Sequence, residues 1–184
     1  ERSSAASDVY KRQQQWFTEH GTAEEQAQID LYLGRAYVED GEYDKAMQIY
    51  ADALQLAKEH QAYNVAGYIC AYMADLYGFR DITSECLKKR EEACEFFKKA
   101  ENYKSYAYSL KDLAGEWAIL DSFACTIPLL QKADSISQLL HNKNLTAAIA
   151  NAFALIYEMQ GKYNEAETAY LKAISTRSEE SYKD

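Results

Sequence analysis

The side chains able to do chemistry are few in this 184-residue chain, and their spacing argues against a catalytic centre. The four cysteines, Cys70, Cys86, Cys94 and Cys125, form no C-x-x-C pair. Cys86 and Cys94 fall on one helix two turns apart, too distant to bridge each other. They read as small buried hydrophobes. Unpaired thiols favour a reducing compartment such as the cytoplasm, although a periplasmic or anchored parent protein is compatible with them. His20, His60 and His141 stand at repeat-length separations and read as surface corner residues, so no metal site is expected from them. No H-E-x-x-H, phosphate-cradling glycine loop or G-x-S-x-G occurs, so neither an enzyme nor a cofactor is expected. Asn144-Leu145-Thr146 matches a glycosylation sequon, which matters only in a eukaryotic secretory route.

Charge narrows the partners. The net charge is −9, and Lys88-Lys89-Arg90 and Lys98-Lys99 are interleaved with Glu rather than gathered on one face. Phosphate backbones would be repelled, so direct nucleic-acid binding by this segment is not expected. No run approaches the roughly 18 apolar residues of a membrane span. The chain opens on Glu1-Arg2-Ser3-Ser4, without Met or an apolar signal core, and is read as a piece of a longer protein.

The elements that would position a site follow from one repeated pattern. Leu33-Gly34, Tyr37, Ala46, Tyr50 and Ala53 recur at a constant offset as Met73-Ala74, Tyr77, Cys86, Arg90 and Ala93. They recur again as Leu113-Ala114, Trp117, Thr126, Leu130 and Ala133, and as Phe153-Ala154, Tyr157, Ala166, Tyr170 and Ala173. The frame also runs back to Ala6 and Tyr10. A fixed period of about 40 residues identifies stacked repeats. Seven glycines, one proline and many good helix formers make each repeat a pair of helices.

Residues 1–22 read as the second helix of a truncated repeat, with Tyr10, Trp16 and Phe17 near one stripe. Four repeats follow over 23–62, 63–102, 103–142 and 143–184, giving a single stack. In the first, helices near Ala23–Glu39 and Tyr43–His60 flank a tight turn at Asp40-Gly41. In the second, Asp81 replaces that glycine and Thr83 or Ser84 is expected to cap the next helix. Arg90, in the register of Tyr50, must snorkel or pair with a carboxylate such as Glu85 or Glu91. Pro128 predicts an irregular Asp121–Thr126 segment before the second helix of the third repeat. The polar tail from Arg177 to Asp184 is expected to fray.

With these residues in view the chain resembles the tetratricopeptide repeat family, whose pattern is a large residue, Leu-Gly, an aromatic, then Ala, an aromatic and Ala across a helix-turn-helix. The likeness covers nearly the whole chain as about four and a half repeats, best in the first and fourth. Arg90 and Thr126 depart from it, and the period exceeds the family's usual length of about 34 residues. The resemblance implies an all-α, right-handed solenoid of antiparallel hairpins. Its long repeats look like those of bacterial regulatory and signalling proteins, in which such a solenoid is a sensor or docking arm. Protein or peptide binding is therefore the expected function. A small-molecule-sensing or enzyme-accessory module using the same groove is the alternative.

The sixteen tyrosines divide by register. Tyr37, Tyr50, Tyr77, Tyr157 and Tyr170 belong to the repeat core, whereas Tyr32, Tyr68, Tyr72 and Tyr108 lie on first helices off that stripe. First helices line the concave surface of such stacks, and tyrosine offers contact area at low entropy cost. Counting from the Leu-small pair puts Gln28, Leu31, Arg35, Tyr68, Tyr72, Asp75, Tyr108, Lys111, Asn151 and Leu155 on the groove. The carboxylate clamp of the family needs Lys, Asn and Arg together. Here Arg35, Lys111 and Asn151 fall in different repeats, and Asp75 and Asp112 oppose an anion. A mixed apolar and polar peptide anchored on Tyr68 and Tyr108 fits better. Exposed apolar surface beside Tyr10 at one end, and at Tyr170 and Ile174 at the other, predicts end-to-end self-association.

The frame places Ala133 where two helices meet. Ala133→Leu is expected to overpack that contact and cost about 1–3 kcal/mol in thermal or urea unfolding. An unchanged melting temperature would refute the frame.

Overall fold

The computed structural model describes the backbone over residues 5–181 and side chains over residues 7–177. Ala6 and the tail beyond Arg177, where fraying is expected, lie outside the described side chains. Nine α-helices and no strand occur among the described residues: α1 Ala5–His20, α2 Ala23–Glu39, α3 Tyr43–Glu59, α4 Tyr63–Phe79, α5 Thr83–Lys99, α6 Tyr103–Ile119, α7 Phe123–Leu139, α8 Lys143–Met159 and α9 Tyr163–Ser181. The chain divides into two compact units, one ending at Glu101 and one beginning at Asn102. That division falls next to the expected junction between the second and third repeats.

Each unit is a stack of helical hairpins. In the first, each helix from α1 to α5 packs on the next, and α2 also meets α4. In the second, α6 to α9 pack in sequence and α6 meets α8. Turns recur at equal intervals. Gly41, Gln61, Asp81, Glu101, Asp121, His141 and Gly161 all take a left-handed backbone, with φ between 50° and 76°. Around Gly41, its N–H reaches Val38 O at 3.0 Å and the Glu42 N–H reaches Tyr37 O at 2.8 Å. Those two bonds are a Schellman closure, which satisfies carbonyls a helix end would otherwise leave free. The same pair of bonds closes α4 around Asp81, α6 around Asp121 and α8 around Gly161.

Starts differ more than ends. Thr22 caps α2 in a capping box with Glu25, while Asn102 and Asn142 accept from Ser105 N and Leu145 N to start α6 and α8. The cap expected at Thr83 or Ser84 is not made: Ile82 precedes α5 and no side chain caps it. The irregular Asp121–Thr126 segment is also corrected, because α7 already begins at Phe123 with Pro128 inside it. Proline there removes one bond, to the Ala124 carbonyl, and both residues are exposed, so the helix loses that bond on its solvent-facing side. The Thr126 backbone and hydroxyl both donate to Ser122 O and hold the first turn.

Small residues let the helices close. Gly34 lies under the fully buried Tyr50 ring, and a Cβ there would fall 2.7 Å from Cδ1. Gly67 stands in the same relation to Phe97, at 2.8 Å. Ala46, Ala53, Ala93 and Ala133 have no exposed surface, and Cys86, which stands in the register of Ala46, is equally buried. Cys70 and Cys94 are buried as expected; Cys125 is exposed, contrary to that reading. Tyr77, Tyr157 and Tyr170 are only half-buried, not core like Tyr50. Tyr10 is not the exposed residue of α1, because it stacks on Tyr32 with centroids 5.9 Å apart. Val9 and Trp16 are exposed there instead.

The left-handed turns separate backbone effects from packing. No atom lies within 4 Å of a Cβ built at Gly41, so Gly41→Ala tests φ alone. It should lower the urea midpoint by an amount equivalent to about 1 kcal/mol, and Asp81→Gly should move the midpoint upward. A destabilised Asp81→Gly protein would show that the aspartate has a role besides tolerating the turn.

Candidate functional site

The first unit contains a cavity of about 410 Å³ between α2, α3 and α4. Helix α2 contributes Arg35, Val38 and Glu39; α3 contributes Tyr43 and Tyr50; α4 contributes Tyr72, Asp75, Leu76 and Phe79. Three of the expected groove residues, Arg35, Tyr72 and Asp75, therefore meet in one place. Arg35 and Glu39 are one turn apart on α2, as are Tyr72, Asp75, Leu76 and Phe79 along α4, so each set faces one side of its helix.

The geometry is a column. The Arg35 guanidinium lies 5.1 Å from the centre of the Tyr72 ring, and Tyr72 stacks on Tyr50 with centroids 6.2 Å apart and planes at 18°. Tyr43 and Phe79 form a second aromatic pair 5.1 Å apart, with Phe79 69% exposed at the mouth. Tyr50 Oη is buried and makes no hydrogen bond among the described residues. Burial, then the neighbouring Tyr72, pushes its phenol above the ordinary range, so it stays protonated.

Arg90 finds its carboxylate in Asp75, at 2.7 Å, rather than in Glu85 or Glu91. Those two lie on its own helix, whereas Asp75 faces it from α4 across the hairpin. Asp44 holds Arg80 outside the cavity at 2.6 Å.

The other expected residues lie elsewhere. Leu31 is 3% exposed and belongs to the core, so it gives no groove surface. Gln28 is half-buried on α2. Tyr68 is half-buried edge-on against Phe97, 4.8 Å between centroids, and its ring is committed to packing. In the second unit, Tyr108 and Asn151 are half-buried, Leu155 is exposed, and Lys111 pairs with the adjacent Asp112. A cavity of about 400 Å³ between α7, α8 and α9, walled by Phe153, Tyr157 and Lys172, contains none of the expected groove residues. Tyr43, Glu39 and Phe79 are the functional candidates that the sequence missed. They flank the turns at 41 and 81, and an aromatic beside each turn was the available signal.

The cavity offers flat aromatic faces, one guanidinium, two carboxylates and a buried hydroxyl. Such a set holds a side chain by stacking and ion pairing. The Cys70 thiol is remote from such use: burial pushes it up to about 12, and it points to Glu92 Oε2 at 3.6 Å.

Two family models, each a tetratricopeptide repeat, match residues 33–61 and 146–180. Similar solved structures agree on the fold. BtubC (BKLC) from P. vanneervenii is 17% identical, with a TM-score of 0.81 over 95% of this chain and 72% of that one. The STAND protein PH0952 from Pyrococcus horikoshii, which has a tetratricopeptide repeat sensor, is 18% identical with a TM-score of 0.78. The match covers 95% of this chain and 28% of that protein. MamA is 16% identical with a TM-score of 0.63, covering 96% of this chain and 89% of that one. A search of curated proteins returned no match. The fold is an all-α helical repeat solenoid. Two segments of the chain match tetratricopeptide repeats, a repeat type whose helical hairpins generally serve as protein-interaction scaffolds.

One carboxylate between α1 and α2 works against folding. Asp30 on α2 accepts from Gln14 Nε2 at 2.6 Å, yet burial raises its pKa above the usual aspartate value. A raised carboxylate pKa means that the folded state binds the proton more tightly than the unfolded one. Stability then falls as pH rises through the ordinary aspartate range. Asp30→Asn keeps an acceptor for Gln14 and should raise the melting temperature at pH 7. The advantage should fade below about pH 4, where the unfolded aspartate is also protonated. An advantage that persisted undiminished at low pH would assign the gain to something other than charge.

Proposed function

We propose that this chain is a non-catalytic arm of a larger regulatory protein, of bacterial type, and that it docks an extended polypeptide in the first-unit groove. The observation that carries this reading is the cavity bounded by Tyr72, Tyr43 and Phe79. Its walls are flat and aromatic, and its mouth is open enough to leave Phe79 mostly solvated. Aromatic anchors of this type concentrate binding energy in protein interfaces. The sensor role of the repeats in PH0952 is compatible with the arm assignment. A cavity of this size also suits a small ligand, which supports a metabolite-sensing module as the second reading. End-to-end self-association would use Leu171 and Ile174, both exposed on α9, while Tyr170 is partly withdrawn and donates to Glu158 at 2.9 Å.

Peptides selected from a displayed random library against the full chain test the assignment. Joint Tyr72→Ala and Phe79→Ala substitution should weaken the selected peptides at least about thirtyfold, the loss expected when hot spots worth about 2 kcal/mol are removed. Tyr68→Ala with Tyr108→Ala should do less. The reverse ranking would move the groove back to the tyrosines first expected from the sequence. Thermal stabilisation by metabolites, with no peptide selected, would favour the sensing module.

A further inference from the structure

We propose that the first-unit cavity receives an arginine side chain of its partner polypeptide. The proposal rests on the peptide-docking reading and adds the chemistry of the residue recognised.

Two observations converge. The first is a carboxylate at the cavity that makes no ion pair among the described residues. Glu39 is the last residue of α2, exposed, and makes no ion pair among the described residues. Neither α2 nor α4 has a basic residue in its last turn, although the C-terminal end of a helix carries partial negative charge. Both helix ends border the cavity, together with Asp75. Asp75 is held by Arg90 at 2.7 Å, so Glu39 is the carboxylate left for a ligand. Across α2 and α4, Arg35 is the only Lys or Arg, set against Glu24, Glu25, Asp30, Glu39 and Asp75. With the net charge of −9 on the chain, the long-range field favours a basic partner.

The second observation is the wall material. Arg35 already lies over Tyr72, so the site accepts a guanidinium by stacking. Tyr43 and Phe79, the pair at the mouth, hold no such cation among the described residues, leaving a second face open. The exposed Glu39 carboxylate can accept from the N–H groups of a planar donor set. Guanidinium supplies five such donors in a fixed plane, whereas an ammonium lacks the flat face that the walls offer. An acidic ligand could meet only Arg35, at the expense of approaching Glu39 and Asp75.

The probes are N-acetyl-arginine amide and its citrulline, lysine and glutamate counterparts, titrated into the full chain at millimolar concentration and low salt. Aromatic NMR resonances report the site. The arginine compound should shift Tyr43, Tyr72 and Phe79 saturably and bind about tenfold more tightly than citrulline, which has its shape without charge. The lysine and glutamate compounds should also be weaker than arginine. Glu39→Gln, a change at an exposed position, should weaken arginine about fivefold, the upper range for a partly exposed ion pair. Asp44→Asn, outside the cavity, should leave it unchanged. Equal binding of citrulline, lysine or glutamate, indifference to Glu39→Gln, or no saturable shift would each overturn the proposal. If arginine fails while library peptides still require Tyr72 and Phe79, the groove stands and its arginine chemistry falls. If arginine binds and no peptide can be selected, the docking reading falls instead.

Discussion

The left-handed residue that ends each helix from α2 to α8 is the constraint on which the rest of this structure depends. Evenly spaced turns leave the helices from α2 to α8 all equal in length. A fixed helix length keeps equivalent side chains at equivalent heights along successive hairpins. Small residues can then meet large ones in the same register each time, as Gly34 meets Tyr50. Only two of the seven turn positions are glycine; Gln61, Asp81, Glu101, Asp121 and His141 adopt the conformation at a backbone cost. Closure bonds at each turn, and the packing of the helices they join, offset that cost.

Most of the helix layout was readable because the pattern that marks it is long. A recurrence of Leu-small, aromatic, Ala and aromatic across whole hairpins averages over individual deviations, so the bounds of α2 and α3 follow almost to the residue. Single-residue rules did less well. Pro128 predicts a delayed α7, but the bond it removes lies between two exposed residues, and the helix starts at Phe123 regardless. The non-glycine turns were hidden for a different reason: no side chain type announces a left-handed glutamine or histidine. Within α2, a core stripe wide enough to bury Leu31 also made one of the supposed outward rows an inward one.

The candidate site was half-legible, and the missing half has a common cause. Arg35, Tyr72 and Asp75 came from counting along first helices, which works where residues share a helix. Tyr43 belongs to the second helix of its hairpin, and Glu39 and Phe79 sit at helix ends. Their convergence depends on how α2, α3 and α4 approach one another, and no spacing within one helix encodes that. The partner of Arg90 was missed likewise. Nearby Glu85 and Glu91 are close in sequence, but Asp75 is the carboxylate that the hairpin brings across.

The register shared by Tyr50, Arg90, Leu130 and Tyr170 shows which of these features the fold requires. Leu130 fills it in the second unit with no polar atom and no exposed surface, within a cluster that includes Ala114, Ala118 and Ile156. Tyr170 carries a hydroxyl there and satisfies it with Glu158. Tyr50 carries one and leaves it unbonded, at a cost on the order of 1–3 kcal/mol for a buried hydroxyl. Arg90 brings a charge into the same register and must be neutralised by Asp75. Packing alone is therefore satisfied by leucine, and the polar groups of the first unit are additions to it. Tyr50 and Asp75 line one cavity together with Glu39, which is exposed and makes no ion pair among the described residues. The hydroxyl is sealed behind the wall and the Asp75 charge is matched by Arg90, so Glu39 is the group whose charge a cationic guest would meet and a purely apolar guest would leave unmatched.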